Sequence, residues 1–246
     1  MPLEITKKSD SKIQAPKFIV DFDLDEDSNF KIPYPYPKKA SFFMSITGKA
    51  GSGKSSFFLN SIKSSRPPYR VYRNMFNHVE VIMPKTSFRS VEKIFEYHDE
   101  NKIHHNLTGE LLEELHDIIE ARSEEEESTL LIIDDFSSSL RVKDVELELF
   151  KLTSNRRHLR LSIMIIQHGI LSLNPRLRKL LTHLAMFKTT NSKERQALEE
   201  LLPLDSKDEY TELYNFVWDK PYEFLFVDLE KGRDKGLFKS LNLIEF

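Results

Sequence analysis

The stretch ITGKAGSGKSSFF, residues 46–58, holds three of the chain's seven glycines, Gly48, Gly51 and Gly53, directly ahead of Lys54, Ser55 and Ser56. Gly48, Lys49, Ala50, Gly51, Ser52, Gly53, Lys54 and Ser55 fit the pattern G-x-x-x-x-G-K-[ST] in full. Glycines let a backbone turn tightly and bring its N–H groups against phosphate oxygens. A helix starting at the end of the loop adds partial positive charge. In this pattern Lys54 reaches the β- and γ-phosphates of a nucleotide and the Ser55 hydroxyl sits on Mg²⁺. An accidental glycine turn would need neither a strand before it nor a helix after it, and both are predicted here, over 41–47 and 53–64.

Working outward, short apolar runs alternate with helical patterns. Strands are predicted over 79–83, 129–134, 161–167, 183–188 and 222–228. Helices are predicted over 108–127, with Thr108 as N-cap, over 142–152, and over 191–202 behind an Asn or Ser cap. A break falls at SSRPPY, 64–69. Continuous apolar strands are buried on both faces, and their alternation with helices predicts an α/β domain with a mostly parallel central sheet flanked by helices. Residues 1–33 are polar and read as an extended N-terminal arm. IPYPYPKKA at 32–40, with three prolines, marks the start of a single phosphate-loop domain over 34–246.

Composition sets the bounds. The 246 residues are 39% hydrophobic and 30% charged, in the range of globular proteins. There is no cysteine, which excludes disulfides and thiolate metal sites. The first residues lack an apolar core, so no secretory leader is expected, and no apolar run approaches the ~20 residues of a membrane helix. Net charge is −3, but SNRRHLR and NPRLRK are local basic segments.

LLIIDDF, 130–136, is an apolar strand ending in two carboxylates. Asp134 stands where a carboxylate holds Mg²⁺ opposite a phosphate loop. Asp135 stands where a carboxylate polarises an attacking water, and reads alternatively as a helix cap or a solvated charge. Gln167 ends an apolar strand and reads either as a γ-phosphate sensor or as a satisfied polar strand end. Arg156 and Arg157 suit charge stabilisation on a transferred phosphoryl group, in cis or from a neighbouring subunit. The plainer reading is a solvated basic helix end. Arg176, Arg178 and Lys179 read equally as nucleic-acid phosphate contacts and as the polar face of a helix whose Leu177, Leu180 and Leu181 pack inward. His104, His105 and His158 have no metal-ligand spacing and read as structural or surface residues.

The segments GKAGSGKSS, LLIIDDF, NRRHLRLSIMIIQ and RKLLTHLAMFK, in this order and spacing, resemble the genome-packaging ATPases of large nucleocytoplasmic DNA viruses, virophages and polinton-like elements, in the FtsK–HerA superfamily. The resemblance covers about residues 41–228. It implies a RecA-like (ASCE) phosphate-loop fold and an ATP- and Mg²⁺-dependent homo-oligomeric ring, pentamer or hexamer, that moves double-stranded DNA into a capsid. It also implies a capsid protein at the packaging vertex as partner, and an infected host cell, in a cytoplasmic viral factory, as location, with the virion as a further place. By resemblance, residues 48–56 hold the nucleotide and Ser55 and Asp134 the metal. Lys54, Asp135 and Gln167 serve catalysis, and Arg156 or Arg157 is a finger in trans. Wider relatives often carry glutamate where this chain has Asp135. A small-metabolite kinase and a nucleotide-gated DNA-binding or assembly factor are the competing readings.

Overall fold

The computed structural model describes residues 21–63 and 71–245. The 64–69 break and residues 1–20 of the predicted arm lie outside the described residues. In chain order the strands are β1 (Phe43–Thr47), β2 (His78–Ile82), β3 (Ile103–His104), β4 (Thr129–Asp134), β5 (Leu161–Gln167), β6 (His183–Phe187), β7 (Phe224–Asp228), β8 (Leu237–Lys239) and β9 (Asn242–Leu243). The helices are α1 (Lys54–Lys63), α2 (Lys85–Arg89), α3 (Gly109–Glu124), α4 (Lys143–Asn155), α5 (Pro175–Arg178), α6 (Ser192–Glu199), α7 (Lys207–Val217) and α8 (Arg233–Gly236).

The nine strands of the described residues lie in one sheet, in the order β3-β2-β4-β5-β1-β6-β7-β8-β9. From β3 to β6 every pairing is parallel; β7, β8 and β9 extend the sheet antiparallel. The expected mostly parallel α/β sheet is thus observed. β5 lies between β1 and β4, so the glycine loop and the paired carboxylates end on strands one strand apart.

The period of two sorts the strand residues between two apolar layers. Leu131, Ile133, Ile163 and Ile165 face a layer closed by Leu112, Leu115 and Ile119 of α3 and Leu149 and Leu152 of α4, with α6 and α7 completing it. Leu130, Ile132, Met164 and Ile166 face the other layer, closed by Phe58 of α1 and an aromatic group that includes Phe42 and Tyr72. Residues 21–33 belong to this second layer: Leu24 and Ile32 are buried, and Leu24 N–H donates to Lys38 O at 2.7 Å. Over that stretch the segment read as an arm shares the domain's core.

Helix starts follow side-chain capping. Thr108 accepts from Leu111 N–H at 3.1 Å, as expected, and Asn191 caps α6 through Lys193 and Glu194. α7 was not expected; Ser206 caps it, and Tyr210, Leu213 and Val217 bury one face. No helix among the described residues is long and apolar enough to cross a membrane.

Candidate active site: a phosphate loop facing paired carboxylates

β1 delivers the chain to the carboxyl edge of the sheet, where Gly48 N–H donates to Gln167 O at 3.3 Å. The loop then turns through Gly51 at φ +74° and Gly53 at φ +107°, a region side chains disfavour. At Gly48 the requirement is space: a Cβ there would lie 2.6 Å from Phe187 Cβ and 2.8 Å from Ser52 Oγ. α1 starts at Lys54, so its first N–H groups and its positive end point into the loop.

Lys54 is 9% exposed, and its ammonium donates to Gly48 O at 2.6 Å and Lys49 O at 3.0 Å. Burial lowers its pKa, while the charges of Asp134 and Asp135 oppose that shift. The loop lysine therefore lies within electrostatic reach of both carboxylates that close β4. Burial, and then repulsion from Asp135, push the Asp134 carboxyl up to about 7, with Lys54 pulling the other way. A half-buried carboxylate this reluctant to ionise favours a cation beside it.

Asp135 has left the strand, at φ +62°. Ser87 Oγ, on α2, donates to its Oδ2 at 2.9 Å, and His168 Nε2 lies 3.0 Å from its Oδ1. Gln167 is 1% exposed; its Nε2 donates to Ser45 Oγ at 2.9 Å, while its Oε1 is buried without a hydrogen-bond partner. Ser52 Oγ beside Gly48 is likewise buried and unpartnered. Ser55 and Ser56 are exposed at the start of α1. A cavity of about 500 Å³ adjoins the loop, lined from Gly51 to Phe57 and by Asn60, Phe187, Tyr222 and Phe224. That is within the usual size range of small-ligand pockets.

The structure brings together residues 48–56, Asp134, Asp135 and Gln167. It does not bring Arg156 and Arg157 to them. Both lie between α4 and β5, at the amino edge of the sheet, a strand length (~17 Å) from the loop. There they line a second cavity, of about 470 Å³, with Ser41, Thr182 and His183. Of the two alternatives left open for them, in cis or from a neighbouring subunit, this placement disfavours the first. Arg156 donates to Ser41 O and Thr153 O, whereas Arg157 is exposed. In the other basic segment Leu177 and Leu181 are buried and Leu180 partly so, while Arg176 and Lys179 face solvent. His104 and His105 are structural, paired with Glu80 and with Met83 O.

Sequence reading missed Ser87, His168 and Tyr222. His168 directly follows Gln167 and carries a local signal by that position. Ser87 and Tyr222 carry none, because their places depend on the sheet order.

Residues 32–209 match the family described as "Poxvirus A32 protein". No curated protein sequence matches the chain. Among solved structures, the DNA-packaging ATPase B204 of Sulfolobus turreted icosahedral virus is similar at 15% identity and a TM-score of 0.59, over 84% of this chain and 98% of that one. The genome-packaging NTPase B204 of Sulfolobus turreted icosahedral virus 2, in complex with ATP-γS, is similar at 16% identity and a TM-score of 0.55, over 83% and 99%. EssC (ATPases 2 and 3) of Geobacillus thermodenitrificans is similar at 13% identity and a TM-score of 0.52, over 82% of this chain and 40% of that one. At these identities the likeness is one of fold.

Proposed function

The chain belongs to the poxvirus A32 protein family, and from that premise we propose that it is an ATP-hydrolysing motor that moves double-stranded DNA into a viral capsid. The observation that carries the reading is the sheet order, in which β5 alone separates the strand that ends in the phosphate loop from the strand that ends in Asp134 and Asp135. A nucleotide seated on residues 48–56 has its terminal phosphate directed at those carboxylates. Solved proteins of this fold include packaging ATPases, one of them holding an ATP analogue.

The residues present fit Mg²⁺. Among the described residues no group of three His, Cys, Asp or Glu could hold a metal by itself. Mg²⁺ on a nucleotide needs only one or two protein oxygens, the rest coming from phosphates and water. Asp134 and Ser55 Oγ supply hard oxygen donors of that kind. Bound there, the ion would neutralise charge on the phosphates. Lys54 would exchange its bonds to Gly48 O and Lys49 O for phosphate oxygens. Gln167, with Oε1 unpartnered, would accept from the attacking water and pass the state of the γ-phosphate to Ser45 and the sheet. Asp135 stands beside that water.

Arg156 and Arg157, at the far edge of the sheet, would reach a nucleotide only on a neighbouring copy. That is the arrangement of a ring with its sites between subunits. We infer double-stranded DNA held through its backbone phosphates, a capsid-vertex protein as docking partner, and action in the cytoplasm of an infected cell.

The test is ATP turnover with and without duplex DNA, together with the mass of the assembly. A motor gives DNA-stimulated turnover, salt-sensitive DNA binding and a nucleotide-dependent oligomer. A monomer whose hydrolysis ignores DNA ends the motor reading and leaves a kinase. Lys54→Ala is expected to abolish turnover; full activity in that variant would remove the site assignment.

A further inference from the structure

Once phosphates are seated on the loop, the sheet order decides where the base of a nucleotide goes. The strands run β4-β5-β1-β6-β7 across the middle of the sheet. The carboxylates that face the terminal phosphate close β4, on one side of the loop. A nucleotide lying extended across the loop carries its base to the other side, over β6 and β7. β7 is antiparallel to β6, so its start lies at the same edge as the end of β6, with Phe224 paired to Phe187. The cavity of about 500 Å³ beside the loop is lined by these two residues and by Tyr222.

Phe187 and Phe224 are 3% and 9% exposed, and Phe224 also packs on Phe57 with ring centroids 4.8 Å apart. These rings make a floor fixed by the second apolar layer. Tyr222 differs from them. It is 74% exposed, packs on no other ring among the described residues, and stands at φ +66°, a conformation that a bulky side chain rarely adopts. Across the turn that carries it, Lys220 N–H donates to Glu223 Oε2 at 3.0 Å. The turn sets its ring beside the loop: a Cβ on Gly53 would lie 3.7 Å from Tyr222 Cδ1 and 3.2 Å from Phe187 Cε1. Two turns along α1, Asn60 also lines the cavity, exposed and with an amide that makes no hydrogen bond among the described residues. An amide offers both a donor and an acceptor, which suits the polar edge of a base.

We propose that this cavity receives the base of the nucleotide and that Tyr222 is a specificity-determining residue, stacking on a purine whose edge meets Asn60. The inference rests on the ATPase reading above. A planar ring seated there takes its apolar face out of water against Tyr222 and the phenylalanine floor, and every base has such a face. Recognition of this kind goes by ring area more than by hydrogen-bond pattern. A purine covers more of Tyr222 than a pyrimidine does.

The experiment titrates the full chain, by calorimetry, with ATP, UTP and inorganic tripolyphosphate, each with Mg²⁺. Tripolyphosphate has the phosphates and no base. The proteins are wild type, Tyr222→Ala, Tyr222→Phe and Lys54→Ala, and unchanged thermal unfolding marks each variant as folded. Tyr222→Ala should bind ATP about 10–100-fold more weakly than wild type, and tripolyphosphate within about 2-fold. Tyr222→Phe keeps the ring and should hold ATP within about 3-fold. Wild type should prefer ATP to UTP, and Tyr222→Ala should narrow that preference. Lys54→Ala should lose both ATP and tripolyphosphate. If Tyr222→Ala binds ATP within about 3-fold of wild type while Lys54→Ala does not bind it, the proposal is overturned and the ATPase reading stands. Equal losses of ATP and tripolyphosphate in Tyr222→Ala overturn it too, because the ring would then act on the loop and not on the base. So does a Tyr222→Ala protein that binds ATP as wild type does but no longer assembles, which would assign the ring to contact between copies. A wild type that binds neither ATP nor tripolyphosphate would instead refute the ATPase reading itself, and the subsite with it.

Discussion

Gly48 and Phe187 meet so closely that a methyl group on the glycine would lie 2.6 Å from the phenylalanine Cβ. Phe187 is 3% exposed at the end of β6 and packs on Phe224 with ring centroids 5.1 Å apart. It cannot retreat, so Gly48→Ala must push the loop outward. At Gly51 nothing lies within 4 Å and only φ +74° is at stake. Gly51→Ala is therefore expected to cost about 1–2 kcal/mol, and Gly48→Ala more, with a larger fall in nucleotide affinity. Thermal unfolding and ATP titration of the two variants check this; equal effects would contradict it.

Arg156 and Arg157 are neighbours with different work. Arg156 donates to Ser41 O at 2.8 Å and Thr153 O at 3.0 Å, tying α4 to the start of β1. Arg156→Ala should lower the melting temperature by a few degrees. Arg157 is exposed, so Arg157→Ala should leave melting unchanged and reduce turnover only in the assembled state. Mixing it with Asp135→Asn protein should restore part of the rate, since some interfaces then pair an intact finger with an intact site. No recovery at any mixing ratio, with assembly intact, would exclude a finger in trans.

Glu80, 2% exposed on β2, is held by Arg122 at 2.8 Å and His104 at 3.0 Å. Burial would raise its pKa, but the bonds from His104 and Arg122 outweigh that and keep it below the usual carboxylate range. Arg122→Ala leaves the charge buried with a weaker partner and should cost about 3 kcal/mol. Arg122→Ala combined with Glu80→Leu should cost less than Arg122→Ala alone. Urea unfolding of the two proteins decides it.

His183 gives a pH dependence whose sign follows from its environment. Burial, and secondarily Lys231, push its imidazole down from 6.5 to about 3. The folded chain keeps it neutral where the unfolded chain takes up a proton. Its contribution to stability is complete above about pH 6.5 and is lost as pH falls toward 3, at about 1.4 kcal/mol per pH unit. His183→Gln should flatten the acid limb of the stability curve; an unchanged slope would show that this residue is not responsible.

The phosphate loop and the strands over 129–134 and 161–167 were legible because their signals are local: a glycine pattern, and apolar runs ended by a carboxylate or an amide. α7 was missed because KDEYTELYNFV mixes polar and aromatic residues, and its buried face shows only through Tyr210, Leu213 and Val217. The antiparallel turn at β7 has no mark in its own residues, since the direction of a strand is set by its partners. The contact of Ser87 with Asp135 spans 48 positions and exists only because β2 and β4 pair. Residues 21–33 carried no period, and burial of Leu24 and Ile32 there depends on a surface built by later parts of the chain.

The strands at the two margins of the sheet, β3 and β9, are two residues long. Unpaired backbone at a margin is what invites another chain to add on by hydrogen bonding, and here almost none is on offer. On the described residues, copies meeting in the proposed ring would therefore adhere through side chains, as arginine against phosphate does. Contacts of that kind can be made and released with each cycle, where a shared ladder would weld the copies together.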